Sequence, residues 1–227
     1  GINQWGESTY EDGSLYEGAD LQVYLNKMYY GGDTTVTCYS SYNNQTITCP
    51  TGTIEETSKS LIDNHIWNTG ATEYNMRTDT LAFYQAERGS VNGKICSSGK
   101  MCNDTVTRTT TWTGYIALPY VTDWSYASSE DDCNTKIDQS STYKCKNNNW
   151  MHHGTTMEIE DATWFMSPLA YPDFANYVWL VVGVGIVYYD FAALPLSAFP
   201  TIYLKSNILI ESGAGTNTDP YILKAGS

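Results

Sequence analysis

Charge is scarce in this sequence: only 16% of its 227 residues are Asp, Glu, Lys or Arg, with twelve basic against twenty-five acidic. The formal charge of −13 repels phosphate, and no run of Lys or Arg offsets it locally. That excludes nucleic acid as a partner and disfavours anionic lipid headgroups. Histidine is rarer still, with His65, His152 and His153 only. Without C-x-x-C spacing or convergent histidines there is no basis for a zinc site, so neither a metal nor another cofactor is expected. A G-x-S-x-G elbow is also missing, and few bases are available to activate a hydroxyl. The chain is therefore read as non-catalytic. A long apolar helix is absent too. The longest near-continuous apolar run, Tyr177 to Tyr189, falls short of the ~20 residues a membrane span needs, is β-branched and contains Gly183 and Gly185. It reads as strand, turn, strand, and no membrane span is expected. No internal repeat is apparent.

What remains is 41% hydrophobic residues, 19 Tyr, 18 Gly and an abundance of Thr, Ser and Asn. Hydroxyls and amides, more than charge, hold such a surface in water, which is the composition of a secreted β-rich protein. One domain spanning 1–227 is the expectation at this length. The six cysteines fall into three sequence-local pairs, and short-range closure favours Cys38–Cys49, Cys96–Cys102 and Cys133–Cys145. Three such bridges imply an oxidising, extracellular compartment. Asn44 and Asn103 head Asn-x-Thr triplets in predicted loops beside cysteines, which suits glycan attachment, although such triplets also arise by chance in a Thr-rich chain. The chain starts at Gly1, as a processed or trimmed chain would, and the end Lys224 to Ser227 lends no support to sortase anchoring.

Along the chain, Asp20 to Met28 reads as an amphipathic helix with Leu21, Tyr24, Leu25 and Met28 on one face and Gly31-Gly32 after it. Thr34 to Tyr39 and Gln45 to Cys49 form a predicted hairpin. A second helix is predicted from about Glu55 to Trp67, with Leu61, Ile62 and His65 inward. From Tyr74 onwards short β-type segments are expected, the clearest at Thr109 to Leu118. Ser128 to Trp150 is expected as a long loop held by Cys133–Cys145. Of the carboxylates, Glu158 and Glu160 with Asp161 are the candidates for paired chemistry, and more simply a solvated strand face. Ser129-Glu130-Asp131-Asp132 lacks the D-x-D-x-D-G pattern of a calcium loop and reads as an acidic loop.

Several segments in order resemble secreted bacterial surface proteins with the C-type-lectin-like, sulfatase-modifying-factor-like fold, often found behind prepilin-type leaders. They are Gly18 to Asn26, Ile62 to Gly70, Phe83 to Gly89, Trp112 to Tyr120, Asp123 to Ala127, Asn149-Trp150, Trp164 to Pro168, Tyr203 to Asn207 and Ser212 to Leu223. The resemblance implies an α+β domain, two helices packed on a twisted antiparallel sheet with long disulfide-tied loops. Two departures stand out: Phe199-Pro200 replaces the family's Arg-Pro pair, and Tyr177 to Phe191 is apolar where the family's hairpin is polar. The long apolar N-terminal helix of a pilin and the Glu-Pro-Asn loops of calcium lectins are also absent.

A surface hairpin with one face in water should alternate apolar and polar residues. Here Tyr177, Trp179 and Val181 point one way and Val178, Leu180 and Val182 the other, all apolar. Either the chain's own loops cover both faces, or a neighbouring subunit covers one. The expectation adopted is the second: a subunit of a pilus-like filament or other surface assembly acting by self-association, with Tyr177, Trp179, Val181, Ile186 and Tyr188 at the contact. The alternative is a monomeric adhesin that binds glycans through exposed aromatic rings.

Overall fold

The computed structural model describes residues 20–40, 45–49, 52–70, 72–88, 111–153, 162–170, 177–192, 194, 196–216 and 218–226. The expected bridge Cys96–Cys102, the triplets at Asn44 and Asn103, and Glu158, Glu160 and Asp161 lie outside them. The helices are α1 (Asp20–Val23, continued as a π-helix Tyr24–Tyr30), α2 (Glu56–Lys59), α3 (Thr80–Glu87, after a 3-10 turn Tyr74–Thr78), α4 (Val121–Tyr126), α5 (Asp131–Thr135), α6 (Tyr143–Asn147, after a 3-10 turn Ile137–Gln139) and α7 (Trp150–His153). The strands are β1 (Cys38–Ser40), β2 (Gln45–Ile47), β3 (His65–Asn68), β4 (Thr111–Gly114), β5 (Ile116–Ala117), β6 (Thr163–Pro168), β7 (Tyr177–Val181), β8 (Val187–Phe191), β9 (Ser197–Ala198), β10 (Thr201–Ile202), β11 (Ile208–Ser212) and β12 (Ile222–Ala225). The chain is thus mixed α+β.

At its centre lies a four-stranded sheet in the order β8-β7-β6-β9. Strands β6 and β7 are interior and apolar on both faces because each face meets a separate core. Trp164, Met166, Val178 and Leu180 join Leu21, Tyr24, Leu25, the Cys38–Cys49 pair, Trp67, Ile116 and Leu118 on one side. Phe165, Trp179, Val181 and Val187 join Met76, Phe83, Val121, Trp124 and Ile137 on the other. A strand buried on both faces reads as a continuous apolar run, as β7 does.

The first helix forms as its periodicity predicts. It opens into a π-helix where Asn26 departs from a simple helical role. Its side chain donates to the Gln22 carbonyl (3.0 Å) and the Ile116 carbonyl (2.8 Å) and accepts from Tyr115 N (2.8 Å) and Ile116 N (3.1 Å). Such competition for an i−4 carbonyl loosens a helix. Both described bridges are formed: Cys38–Cys49 beside the β1–β2 hairpin and Cys133–Cys145 between α5 and α6.

The helix expected over 55–67 is corrected. Helix α2 ends at Lys59, and His65–Asn68 is strand β3, antiparallel to β4 with Trp67 opposite Trp112. Burial alternates there, Ile66 in solvent and Trp67 buried, with the Trp67 indole donating to the Gly114 carbonyl at 2.9 Å. The second main helix is α3, in the stretch expected to hold β-type segments. Asp79 caps it by accepting from Ala82 N at 3.0 Å. The segment 128–150 likewise holds α5, a 3-10 turn and α6 where a loop was expected.

Candidate association surface and a buried carboxyl

The structure divides the five residues expected at a subunit contact. Trp179 and Val181 have 0% and 1% of their surface exposed. The Trp179 indole donates to Thr72 Oγ1 at 2.7 Å, lies parallel to the Tyr74 ring and meets Phe83 edge-on. Tyr177 is half-buried against Phe191, its opposite neighbour on β8. The doubled apolar pattern of the hairpin is therefore satisfied inside one chain, and it no longer argues for a neighbour at Trp179 or Val181. Ile186 and Tyr188 are exposed, with Val184, Phe191 and Tyr74. They lie along or beside β8, which among the described residues is one edge of the sheet, β9 being the other. Arg77 covers part of that edge: it stacks on Tyr74 at 3.6 Å and donates to the Val187 carbonyl at 3.0 Å. Cations on an outer strand discourage uncontrolled pairing.

A second apolar surface was not anticipated. Among the described residues strands β11 and β12 pair only with each other, through Ile208↔Ala225, Leu209↔Lys224 and Ile210↔Leu223. A shift in register at Ile210–Ser212 then places Ser212 opposite Ile222. Leu209 (52%), Ile210 (58%) and Ile222 (55%) stand in solvent, and Leu204 and Tyr221 continue the strip. The ribbon's turn is well specified. Ala214 N and Thr216 N both donate to the Asp219 carbonyl at 3.1 Å, and Ala214 N also donates to its carboxylate at 2.9 Å. Gly213 sits at φ 96°, where a Cβ would collide with the Pro220 carbonyl. At its base, Asp63 N donates to the Tyr203 carbonyl and Lys205 N to the Leu61 carbonyl. A two-stranded hairpin alone is marginal in water, and this one is anchored at its base while it carries aliphatic side chains in solvent. The sequence signal is the unalternated Ile208-Leu209-Ile210.

The unusual titratable group is Glu87, fully buried at the end of α3. Ser167 Oγ is 2.6 Å from Oε2, Thr122 Oγ1 hydrogen-bonds Oε1, and Thr122 N donates to Oε1 at 3.3 Å. Burial pushes its carboxyl up to about 8, against those hydrogen bonds and the nearby Arg88 charge. Arg88 donates to Asp123 (2.7 Å) and to the Tyr203 hydroxyl (3.1 Å), and lies 3.4 Å over the Tyr120 ring. Burial also raises the Tyr120 hydroxyl, which donates to the Asn68 carbonyl at 2.7 Å. This network ties α3, α4, β3 and β6 together, and its carboxyl is closed to solvent. That geometry suits a structural role.

Elsewhere the polar candidates are occupied locally. His65 meets Asp63 at 3.3 Å and stacks on Tyr203 at 4.0 Å. Glu130 pairs with Lys144 at 2.7 Å, across the elements joined by Cys133–Cys145. Among the described residues no group of three His, Cys, Asp or Glu is placed to hold a metal ion. No described helix is long and apolar enough to cross a membrane. An α+β chain with two local disulfides among the described residues and exposed apolar strips is therefore the class defined by the structure. No protein family, curated protein or solved structure matches it.

Proposed function

We propose that the chain is a non-catalytic extracellular protein of a bacterial surface, with a C-type-lectin-like fold, that works by self-association in a filament or surface assembly. The observation that carries this reading is the terminal ribbon: an ordered, anchored element holding large aliphatic side chains in water. The described disulfides fit the oxidising compartment such proteins occupy. Light scattering over a concentration series, followed by electron microscopy of the most concentrated sample, tests the reading. Growing mass and regular assemblies are expected, whereas a mass that stays monomeric at every concentration overturns it. The second reading, a glycan-binding adhesin, draws on the exposed rings of Tyr74, Tyr188 and Phe191 beside Arg77. Glycan-array binding that Tyr188→Ala removes would favour it.

A further inference from the structure

We propose that the Asp219–Pro220 peptide bond, at the tip of the terminal ribbon, is cleaved by the Asp219 side chain in a single-turnover reaction of the folded chain. The inference stands independently of self-association. This is the one Asp-Pro bond in the sequence. Proline sets it apart in two ways. Its nitrogen carries no hydrogen, so it cannot attack the Asp219 carboxyl, and the usual route from Asp to a succinimide is closed. A prolyl nitrogen is also more basic than that of a secondary amide, and it leaves more readily once protonated. The route left to the carboxylate is attack on its own carbonyl carbon.

The turn is arranged to favour that attack. The Asp219 carbonyl oxygen accepts from both Ala214 N and Thr216 N at 3.1 Å. Two backbone N–H groups on one carbonyl polarise it, and they stand where negative charge develops on that oxygen when its carbon becomes tetrahedral. Ala214 N also donates to Asp219 Oδ2 at 2.9 Å. A single amide thereby holds the carboxylate beside the carbonyl group of the same residue, so nucleophile and electrophile are already gathered. Asp219 N is fixed in turn by the Thr216 carbonyl (3.2 Å) and Thr216 Oγ1 (3.0 Å). On the leaving side, Gly213 lies so near that a Cβ there would run into the Pro220 carbonyl. Asp219 and Pro220 are both exposed, and water reaches the bond. A carboxylate oxygen bonds to the Asp219 carbonyl carbon, and the bond from that carbon to the Pro220 nitrogen breaks. Its electron pair stays on the nitrogen, which takes a proton from solvent. Water then opens the five-membered cyclic anhydride left on Asp219, restoring the side-chain carboxyl and leaving a new terminal one. Water is the only co-reactant. The products are a chain ending at Asp219 and a segment beginning at Pro220 that carries β12, the only described strand paired with β11. A short strand pair without its turn does not hold in water, so the segment leaves.

The test is intact-mass spectrometry of the full chain during incubation in mildly acidic buffer, with the same chain unfolded in urea at the same pH as the reference. Cleavage between Asp219 and Pro220 is expected at least about tenfold faster in the folded chain, because an N–H aimed at a developing oxyanion is worth about 10²-fold or more and the unfolded chain has none in place. Asp219→Asn keeps an oxygen that can accept from Ala214 N but lacks the nucleophilic carboxylate. It is expected to stay intact over the same period, with near-UV circular dichroism confirming its fold. Cleavage that is equal or slower in the folded chain overturns the proposal, since the reaction is then only the ordinary acid lability of an Asp-Pro bond. A product of the same mass from Asp219→Asn also overturns it, by showing that the bond is cut without the side chain.

Discussion

Replacing Glu87 with Gln removes the one fully buried carboxyl described in the structure while keeping its shape. The amide oxygen can accept from Thr122 N and Thr122 Oγ1, and the amide nitrogen can donate to Ser167 Oγ, so the variant copies the protonated acid. The sign follows from the direction of the shift. In the unfolded chain the carboxyl ionises near 4.5, whereas burial raises it to about 8 in the fold. Between those values the folded state holds a proton that the unfolded state has released. Stability is therefore highest below the lower value and declines as pH rises toward the upper one. At ~1.4 kcal/mol for each pH unit crossed, the chain loses roughly 3 kcal/mol between about pH 5 and pH 8 through this group. Glu87→Gln should abolish that component. Urea unfolding of both proteins at several pH values isolates it, because contributions from other groups cancel in the difference. Expected is near-equal stability at pH 5 and a variant about 2–3 kcal/mol more stable at pH 8. A difference independent of pH would refute the reasoning, and a variant that becomes relatively less stable as pH rises would show that the fold holds Glu87 ionised.

Val181→Asp is expected to prevent folding, not merely to block assembly. Val181 is enclosed within one core, so the change removes ~1.5–3 kcal/mol of burial and adds the cost of an unpaired buried carboxylate. Loss of near-UV circular dichroism checks this. Replacing both Cys133 and Cys145 with Ser opens a loop with a sequence separation of 12 and should lower stability by about 3 kcal/mol, read from urea midpoints. The same variant should be cut faster by trypsin at Lys136, Lys144 and Lys146. Asn26→Ala strips partners from the backbone of Tyr115 and Ile116, with an expected loss of about 2–3 kcal/mol. Faster hydrogen exchange at those two amides would locate the damage.

The legible parts of the fold were those in which one residue period had one explanation. The first helix, the β1–β2 hairpin and the β7–β8 strand pair follow from helical spacing, Thr-rich alternation and an apolar run interrupted by glycines. The second helix was missed because its inward residues are Thr80, Phe83 and Glu87, a stripe that is two-thirds polar and satisfied only by Thr122, Ser125 and Ser167 from distant segments. The window Glu55–Trp67 imitated a helix through the spacing of Leu61, Ile62 and His65, although Ile62 bridges to Leu204 and His65 of β3 pairs with Gly114 of β4. The same limit governs the candidate site. Trp179 and Val181 were visible as residues needing cover, but sequence spacing carries no information about who supplies it. That depended on Met76, Phe83, Val121 and Trp124 folding back over the sheet. The terminal ribbon is the complementary case. Its own sequence is less apolar than β7, yet its strands stand outside the two described cores, and exposure follows from topology where composition had pointed elsewhere. Ile208 to Ile210 pair with a strand that immediately follows them, and that strand closes only an edge. The register, not the hydrophobicity, decides which of the two faces is free of charge.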